Sequence, residues 1–314
     1  MSAAAILGRR TLRFANIALD TAVLGVIMLM IAVGYYALWD SRQVIQMADS
    51  ARYAIYKPTI ENEGKTFQEL QAINPEVFAW LTIYGTNIDY PVVQCREGNN
   101  LKYINTSAEG RYSLSGAIFL DVRSSPDFSD FSSILHGHHM DKNAMFGQIE
   151  YFVQRSYFDA RRYGMLYYDG QEYGLEFFAF VHADAYDASV FRTRIQGREN
   201  QQAYLDLLLD IAINTRDIPV TPDDRIVLLN TCSGVSTNGR DILIGRITDV
   251  LYEDPFIVEE TDDRNILAID RLPGLWAQAP IWVKIIAISS PFIALLFLLS
   301  FMINNRKRSP GRNH

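Results

Sequence analysis

Two charge-free apolar runs at opposite ends of the chain constrain its arrangement more than any other feature. Thr21–Trp39 and Ile285–Ile303 are each nineteen residues long, close to the roughly 20 residues an α-helix needs to span the hydrocarbon of a bilayer. Whatever folds between two such helices is confined to one side of the membrane. Arg9, Arg10 and Arg13 precede the first run, and Arg306, Lys307, Arg308 and Arg312 follow the second, so the positive-inside bias predicts that both termini are cytoplasmic. Tyr35, Tyr36 and Trp39 then mark one outer interface and Trp276 and Trp282 the other, with Lys284 placed to snorkel. A cleaved signal peptide fits the first run less well, because its apolar part exceeds the usual roughly 7 to 15 residues and no small-x-small site follows. Pro291 in the second run is tolerated in membrane helices.

The resulting organisation is a basic cytoplasmic N-terminus (1–20), a transmembrane helix (21–39), a helical stalk and linker (40–66), an extracytoplasmic domain (67–256), a juxtamembrane segment (257–284), a second transmembrane helix (285–303) and a basic cytoplasmic tail (304–314). The formal charge of -7 combines basic ends with an acidic middle, which argues against nucleic acid as a partner and makes the membrane the expected one. The cysteines are Cys95 and Cys232. In an oxidising or redox-neutral exterior they have the option of a disulfide, the bland explanation for both. Cys95 lies in the polar sequence Gln94-Cys-Arg-Glu-Gly98, just past a strand, and reads as a partly exposed bystander.

Strand patterns are expected at Val77–Ile83, Ile88–Gln94, Ala117–Leu120, Ser133–His136, Gly164–Tyr168, Tyr173–His182, Arg225–Thr231 and Asp241–Tyr252. Pro91 suggests that the second of them is an edge or carries a bend. Helical patterns are expected from Asp40 to about Tyr56, then at Phe67–Ile73, Met145–Phe152 and Asn200–Ile213. Many short strands with few long helices predict a mainly β domain, a mostly antiparallel sheet or barrel with inserted helices.

The run Ile226-Val-Leu-Leu-Asn-Thr-Cys232 reads as a buried strand that delivers a thiol to its exposed end. A cysteine is nucleophilic only as thiolate and needs a lowered pKa or a neighbouring base. His136, His138 and His139 cluster in Leu135-His-Gly-His-His-Met140, while His182 lies on another strand and His314 on the tail. Gly137 lets the chain turn so that one imidazole can leave the strand, and the residues alone do not choose which. Zinc is the rival for clustered histidines, but no helical His-x-x-x-His or carboxylate partner at suitable spacing accompanies them; no metal or other cofactor is expected. If Arg225–Thr231 and Asp241–Tyr252 form a hairpin, the loop Ser233–Gly239 brings Arg240 to the end where Cys232 lies, whereas Arg246 sits about 20 Å further along at roughly 3.3 Å per residue. The fixed charge of Arg240 suits an oxyanion or a substrate backbone.

Taken in order, Ile73-Asn-Pro-Glu-Val-Phe-Ala-Trp80-Leu-Thr-Ile83, Gly85-Thr-Asn-Ile-Asp-Tyr-Pro-Val-Val-Gln94, Gly116-Ala-Ile-Phe-Leu-Asp121, Gly137-His-His-Met140, Met145-Phe146 and Leu229-Asn-Thr-Cys232 with Arg240 downstream make the chain resemble a class B sortase. That family consists of membrane-anchored cysteine transpeptidases of Gram-positive bacteria, and the resemblance runs from about Phe67 to Tyr252. It implies an eight-stranded β-barrel with short helices. It also implies Cys232 as nucleophile, His138 as the catalytic histidine and Arg240 as the catalytic arginine. The implied substrate is a surface protein or pilin bearing a sorting signal of the Leu-Pro-x-Thr-Gly or Asn-Pro-x-Thr-Asn type. Cleavage follows the threonine, and the acceptor is a pilin lysine or an amine of the peptidoglycan cross-bridge. The second apolar run departs from class B, whose anchoring members are held by an N-terminal helix alone. It is more typical of class C, the pilus-polymerising sortases. The lid of class C, an Asp-Pro-aromatic triplet ahead of the barrel, is not evident, since Asp254-Pro-Phe256 follows the catalytic hairpin. A pilin polymerase is the favoured expectation. Wall anchoring, a cysteine hydrolase that releases surface proteins, and a catalytically silent membrane-tethered assembly module are the alternatives.

Overall fold

The computed structural model describes residues 3–58, 65–232 and 238–256. The expected second span at Ile285–Ile303, the segment 257–284 that precedes it and the basic tail lie outside the described residues.

Helix α1 runs from Ala3 to Ala48 and is long and apolar enough to cross a membrane. Its apolar surface has no protein cover: Leu29 is 65% exposed and Leu38 is 69% exposed. A helix that is apolar all round belongs in hydrocarbon or in a core, and no core among the described residues receives this one. The stalk is not one helix through to Tyr56. Asp49 interrupts it, its Oδ1 accepting from Ala51 N at 3.0 Å, and a 3-10 turn continues over Ser50–Tyr56. Helix α2, Lys65–Ile73, buries Phe67 and Leu70 and stops before Asn74-Pro75, because a residue ahead of proline is driven out of the helical region.

The strands are β1 (Val77–Ile83), β2 (Asp89–Val93), β3 (Ile118–Leu120), β4 (Ser132–His136), β5 (Tyr163–Tyr168), β6 (Gln171–Asp184), β7 (Ala212–Thr215), β8 (Arg225–Cys232) and β9 (Gly239–Thr248). Their order is β5-β1-β2-β3-β4-β8-β9-β6, and a β5–β6 pairing closes these eight into a barrel. Pairing is antiparallel except between β2 and β3 and between β4 and β8. Strand β7 pairs only with β6, outside the ring. The sequence pattern ran a helix through this point to Ile213. Helix α4 instead spans Arg198–Asp210, and Ile211, Ile213 and Thr215, stiff at χ1, favour the strand that follows. Helix α3, Arg155–Ala160, was not anticipated, and the helical pattern at Met145–Phe152 is a 3-10 segment over Gly147–Val153.

Alternation along the long strands feeds two cores. Val227, Leu229 and Leu243 point into the barrel with Trp80, Phe146, Phe177 and Phe180. Ile226, Leu228, Ile242 and Ile244 face outward beneath Tyr204, Leu205 and Leu208 of α4. Two expectations are corrected here. Strand β2 is not an edge: it lies between β1 and β3, and Pro91 is accommodated because the register with β3 begins only at Val92. Cys95 is not a partly exposed bystander but a free thiol, 5% exposed within the barrel core. Its polar neighbours in sequence concealed that its side chain packs into the core while Arg96 and Glu97 beside it stay exposed.

One buried carboxylate ties the barrel wall together. Glu176 of β6 accepts from Arg162 at 2.9 and 2.7 Å and from Arg246 of β9 at 2.9 Å. Burial raises the Glu176 carboxyl, but the two guanidiniums outweigh it and hold the group below the ordinary glutamate value. The ion pairs thus stabilise the fold above the unfolded pKa of about 4.3, and this contribution disappears as pH falls through the folded value. Glu176→Gln strands two cations, and is expected to lower unfolding free energy by about 3 kcal/mol, the low end of the range because the Arg162 side chain is 44% exposed. Urea titration should show the loss at pH 7, with the gap between variant and parent narrowing towards pH 3.

Candidate active site

Because β4 and β8 are parallel, their C-terminal ends emerge at the same pole of the barrel. The register aligns His136 with Asn230, so the chain leaving β4 and the last residue of β8, Cys232, stand side by side. Strand β9 returns antiparallel to β8 and sets Arg240 opposite Cys232. The hairpin expected from the sequence is therefore present. Arg246 lies opposite Ile226, away from this pole, and is committed to Glu176.

Gly137 makes the turn that sends His138 out of the strand. A Cβ there would meet Ile118 Cδ1 and Phe146 Cδ2 at 2.6 Å, so no other residue fits without displacing core side chains. Its N–H donates to Asn230 O at 3.1 Å, and His138 O accepts from Phe146 N at 3.0 Å, which pins both ends of the turn. The loop beyond carries left-handed residues at Lys142, Asn143 and Met145, strain held at the edge of the site.

The four described histidines have different commitments. His139 Nε2 lies 3.0 Å from Glu150 Oε2 without hydrogen-bond geometry. His182 Nδ1 meets Asp241 Oδ1 at 2.8 Å. His136 Nε2 lies 3.3 Å from Asp121 Oδ2, and its Nδ1 accepts from Asn230 Nδ2 at 2.9 Å. His138 has no carboxylate partner among the described residues: its Nε2 donates to the backbone oxygen of Ile104 at 2.6 Å, which leaves Nδ1 for other work. His138 and Arg240 line one cleft of about 150 Å³, together with Ile104, Phe119, His136, Gly137, Asn230 and Thr231. Among the described residues, Arg240 is tethered there by a bond from its guanidinium to Gly239 O at 3.0 Å. A larger hollow of about 490 Å³, lined by α2, Phe78 of β1, Tyr167 of β5 and Asp169 in the β5–β6 turn, shares no residue with this cleft.

Behind the cleft, Asp121 is 2% exposed and is gripped by Arg123 at 2.9 and 2.8 Å. Burial works to raise its carboxyl, but hydrogen bonds from Arg123 and His136 prevail and hold it far below the usual aspartate range. The sequence offered His136 only as one of three clustered histidines, and gave no part to Asp121 or Asn230. A polar asparagine within an otherwise aliphatic strand was the available signal.

A fixed cation and an imidazole in one cleft, at the end of a strand that terminates in cysteine, are the parts of an acyl-transfer site. Comparison with known proteins agrees. No family profile matches the chain. The sortase B of the type II pilus of Streptococcus pneumoniae is 46% identical, with a TM-score of 0.51 over 59% of this chain and 99% of that one. A Streptococcus pyogenes class B sortase involved in pilus biogenesis is 39% identical, with a TM-score of 0.53 over 59% of this chain and 99% of that one. Sortase B of Staphylococcus aureus is 28% identical over 194 residues, 60% of this chain and 78% of that protein. The chain belongs to the class B sortases. It is a cysteine transpeptidase.

Proposed function

We propose that Cys232, His138 and Arg240 carry the reaction and that the protein joins pilin subunits. The observation that supports the site is the meeting of His138 and Arg240 in one cleft at the pole where β8 ends in Cys232. Of the four described histidines, His138 is the one without a carboxylate beside it, which leaves it able to take up and release a proton. The Cys232 thiolate attacks the carbonyl carbon after the threonine of a sorting signal. Arg240 stabilises the oxyanion that forms, its charge persisting while other groups exchange protons. The carbon–nitrogen bond breaks, His138 gives its proton to the departing amine, and a thioester remains. An incoming amine then attacks the thioester and passes a proton to His138, and Cys232 leaves as thiolate.

The pilin reading draws support from the higher identity to the two pilus-associated relatives than to the S. aureus protein. Wall anchoring uses the same acyl-enzyme and differs only in the amine that resolves it. The helix α1 acts as a membrane anchor, with 40–66 as stalk and 67–256 as the catalytic domain outside the cell. A second span at 285–303, between the juxtamembrane segment 257–284 and the tail 304–314, returns the chain so that both termini are cytoplasmic. Mass spectrometry of the enzyme incubated with sorting peptides should find the acyl group on Cys232. Adding a lysine-bearing pilin should give an amide-linked product in preference to hydrolysis. Peptide release indifferent to any amine would identify a hydrolase instead, and joining only to cross-bridge amines would favour anchoring.

A further inference from the structure

Asn230 is 93% buried on the wall of the cleft, and its Oδ1 has no hydrogen-bond partner among the described residues. The side chain does not choose its orientation freely. Asp121, ionised and bound twice by Arg123, accepts from His136 and so keeps a proton on Nε2. With Nε2 turned to Asp121, the ring meets Asn230 through Nδ1, which accepts from the Asn230 NH2 at 2.9 Å. The carbonyl oxygen is left over as a consequence of three fixed partners. A buried acceptor without a donor costs about 1–3 kcal/mol, and such a group in a native structure calls for a reason.

Resting on the transpeptidase site proposed above, we infer that Asn230 is a substrate-positioning residue. Its Oδ1 accepts a backbone N–H of the acyl-donor peptide, and the pair Asp121 and His136 holds it in that orientation. Asn230 precedes Cys232 by two positions on β8, about 7 Å along the strand. The N–H it takes therefore belongs to one of the two residues preceding the carbonyl that Cys232 attacks, or to the residue that bears it. Phe119 stacks on His136 at 5.1 Å and keeps the ring upright, so the arrangement is set before the peptide arrives.

The test uses the full-length enzyme in detergent and sorting-type peptides in which each backbone N–H on the acyl side is replaced, one at a time, by an ester oxygen. Acyl-enzyme formation at Cys232 is timed for each. The expected result is a loss of about tenfold at one position in the parent enzyme, the value of one hydrogen bond. The same replacement should cost nothing further in Asn230→Ala, which is itself about tenfold slower with the all-amide peptide. His136→Phe keeps the ring against Phe119 but frees the amide, and should show a partial loss at that same position. An acyl-enzyme that forms at equal speed with every peptide, or equal losses in parent and Asn230→Ala, would overturn the inference while leaving Cys232 as nucleophile. A parent enzyme that forms no acyl-enzyme with any peptide would instead sink the site reading, and this inference with it. An even response of the parent to every ester peptide overturns the inference even where a variant fails to fold.

Discussion

Cys232→Ala is expected to abolish the thioester and to reduce transpeptidation by on the order of 10⁵-fold or more, the scale seen when a covalent nucleophile is removed from a preorganised site. No other group can substitute. Cys95 is a thiol, but it is 5% exposed in the barrel core, so it neither reaches the cleft nor meets a substrate. The fold should not suffer, because the end of β8 is held by backbone pairing to β4 and β9 and by Leu228 and Leu229 in the two cores. The measurement is intact-mass detection of the acyl-enzyme alongside a thermal melt. A variant that melts with the parent and still accumulates acylated protein would remove Cys232 from the mechanism.

Arg240→Lys is expected to be nearly as damaging as removal of the side chain, with acylation slowed by about 10²- to 10³-fold, the value of an oxyanion donor. Charge alone is not what the position supplies. The guanidinium is planar and offers several N–H groups at fixed angles, so it can hold Gly239 O at 3.0 Å and still present donors to the cleft. An ammonium is a point charge on a flexible stem and cannot do both. Stopped-flow acylation with a sorting peptide separates the cases. Loss confined to peptide affinity, with the acylation rate at saturation intact, would make Arg240 a binding residue and not a stabiliser of the transition state.

How much of this was legible from the sequence depended on the range of each interaction. The β8–β9 hairpin was readable because its strands are neighbours in the chain, and the expected placement of Arg240, not Arg246, opposite Cys232 is the register the structure has. The choice among His136, His138 and His139 was not readable from spacing. It depends on Asp121, Glu150 and Ile104, which reach the three rings from separate parts of the fold. The contact between His136 and Asn230 joins residues 94 positions apart and exists only because β4 and β8 run parallel, a pairing that periodicity does not encode. Cys95 misled for the opposite reason: its neighbours Arg96 and Glu97 are polar and exposed, and it alone among them turns its side chain into the core. The helix-to-strand change after Asp210 was missed because apolar spacing fits either state over so short a stretch.

The parallel alignment of β4 with β8 also has a kinetic meaning. Parallel neighbours cannot be joined by a tight turn, and here the connection includes β5, β6, β7, α3 and α4. Residues that must meet at the cleft are thus brought together by late, long-range contacts, which are slow to form. An unfinished barrel therefore has no cleft, because the wall that His136, Asn230 and Arg240 share exists only once β4, β8 and β9 have paired.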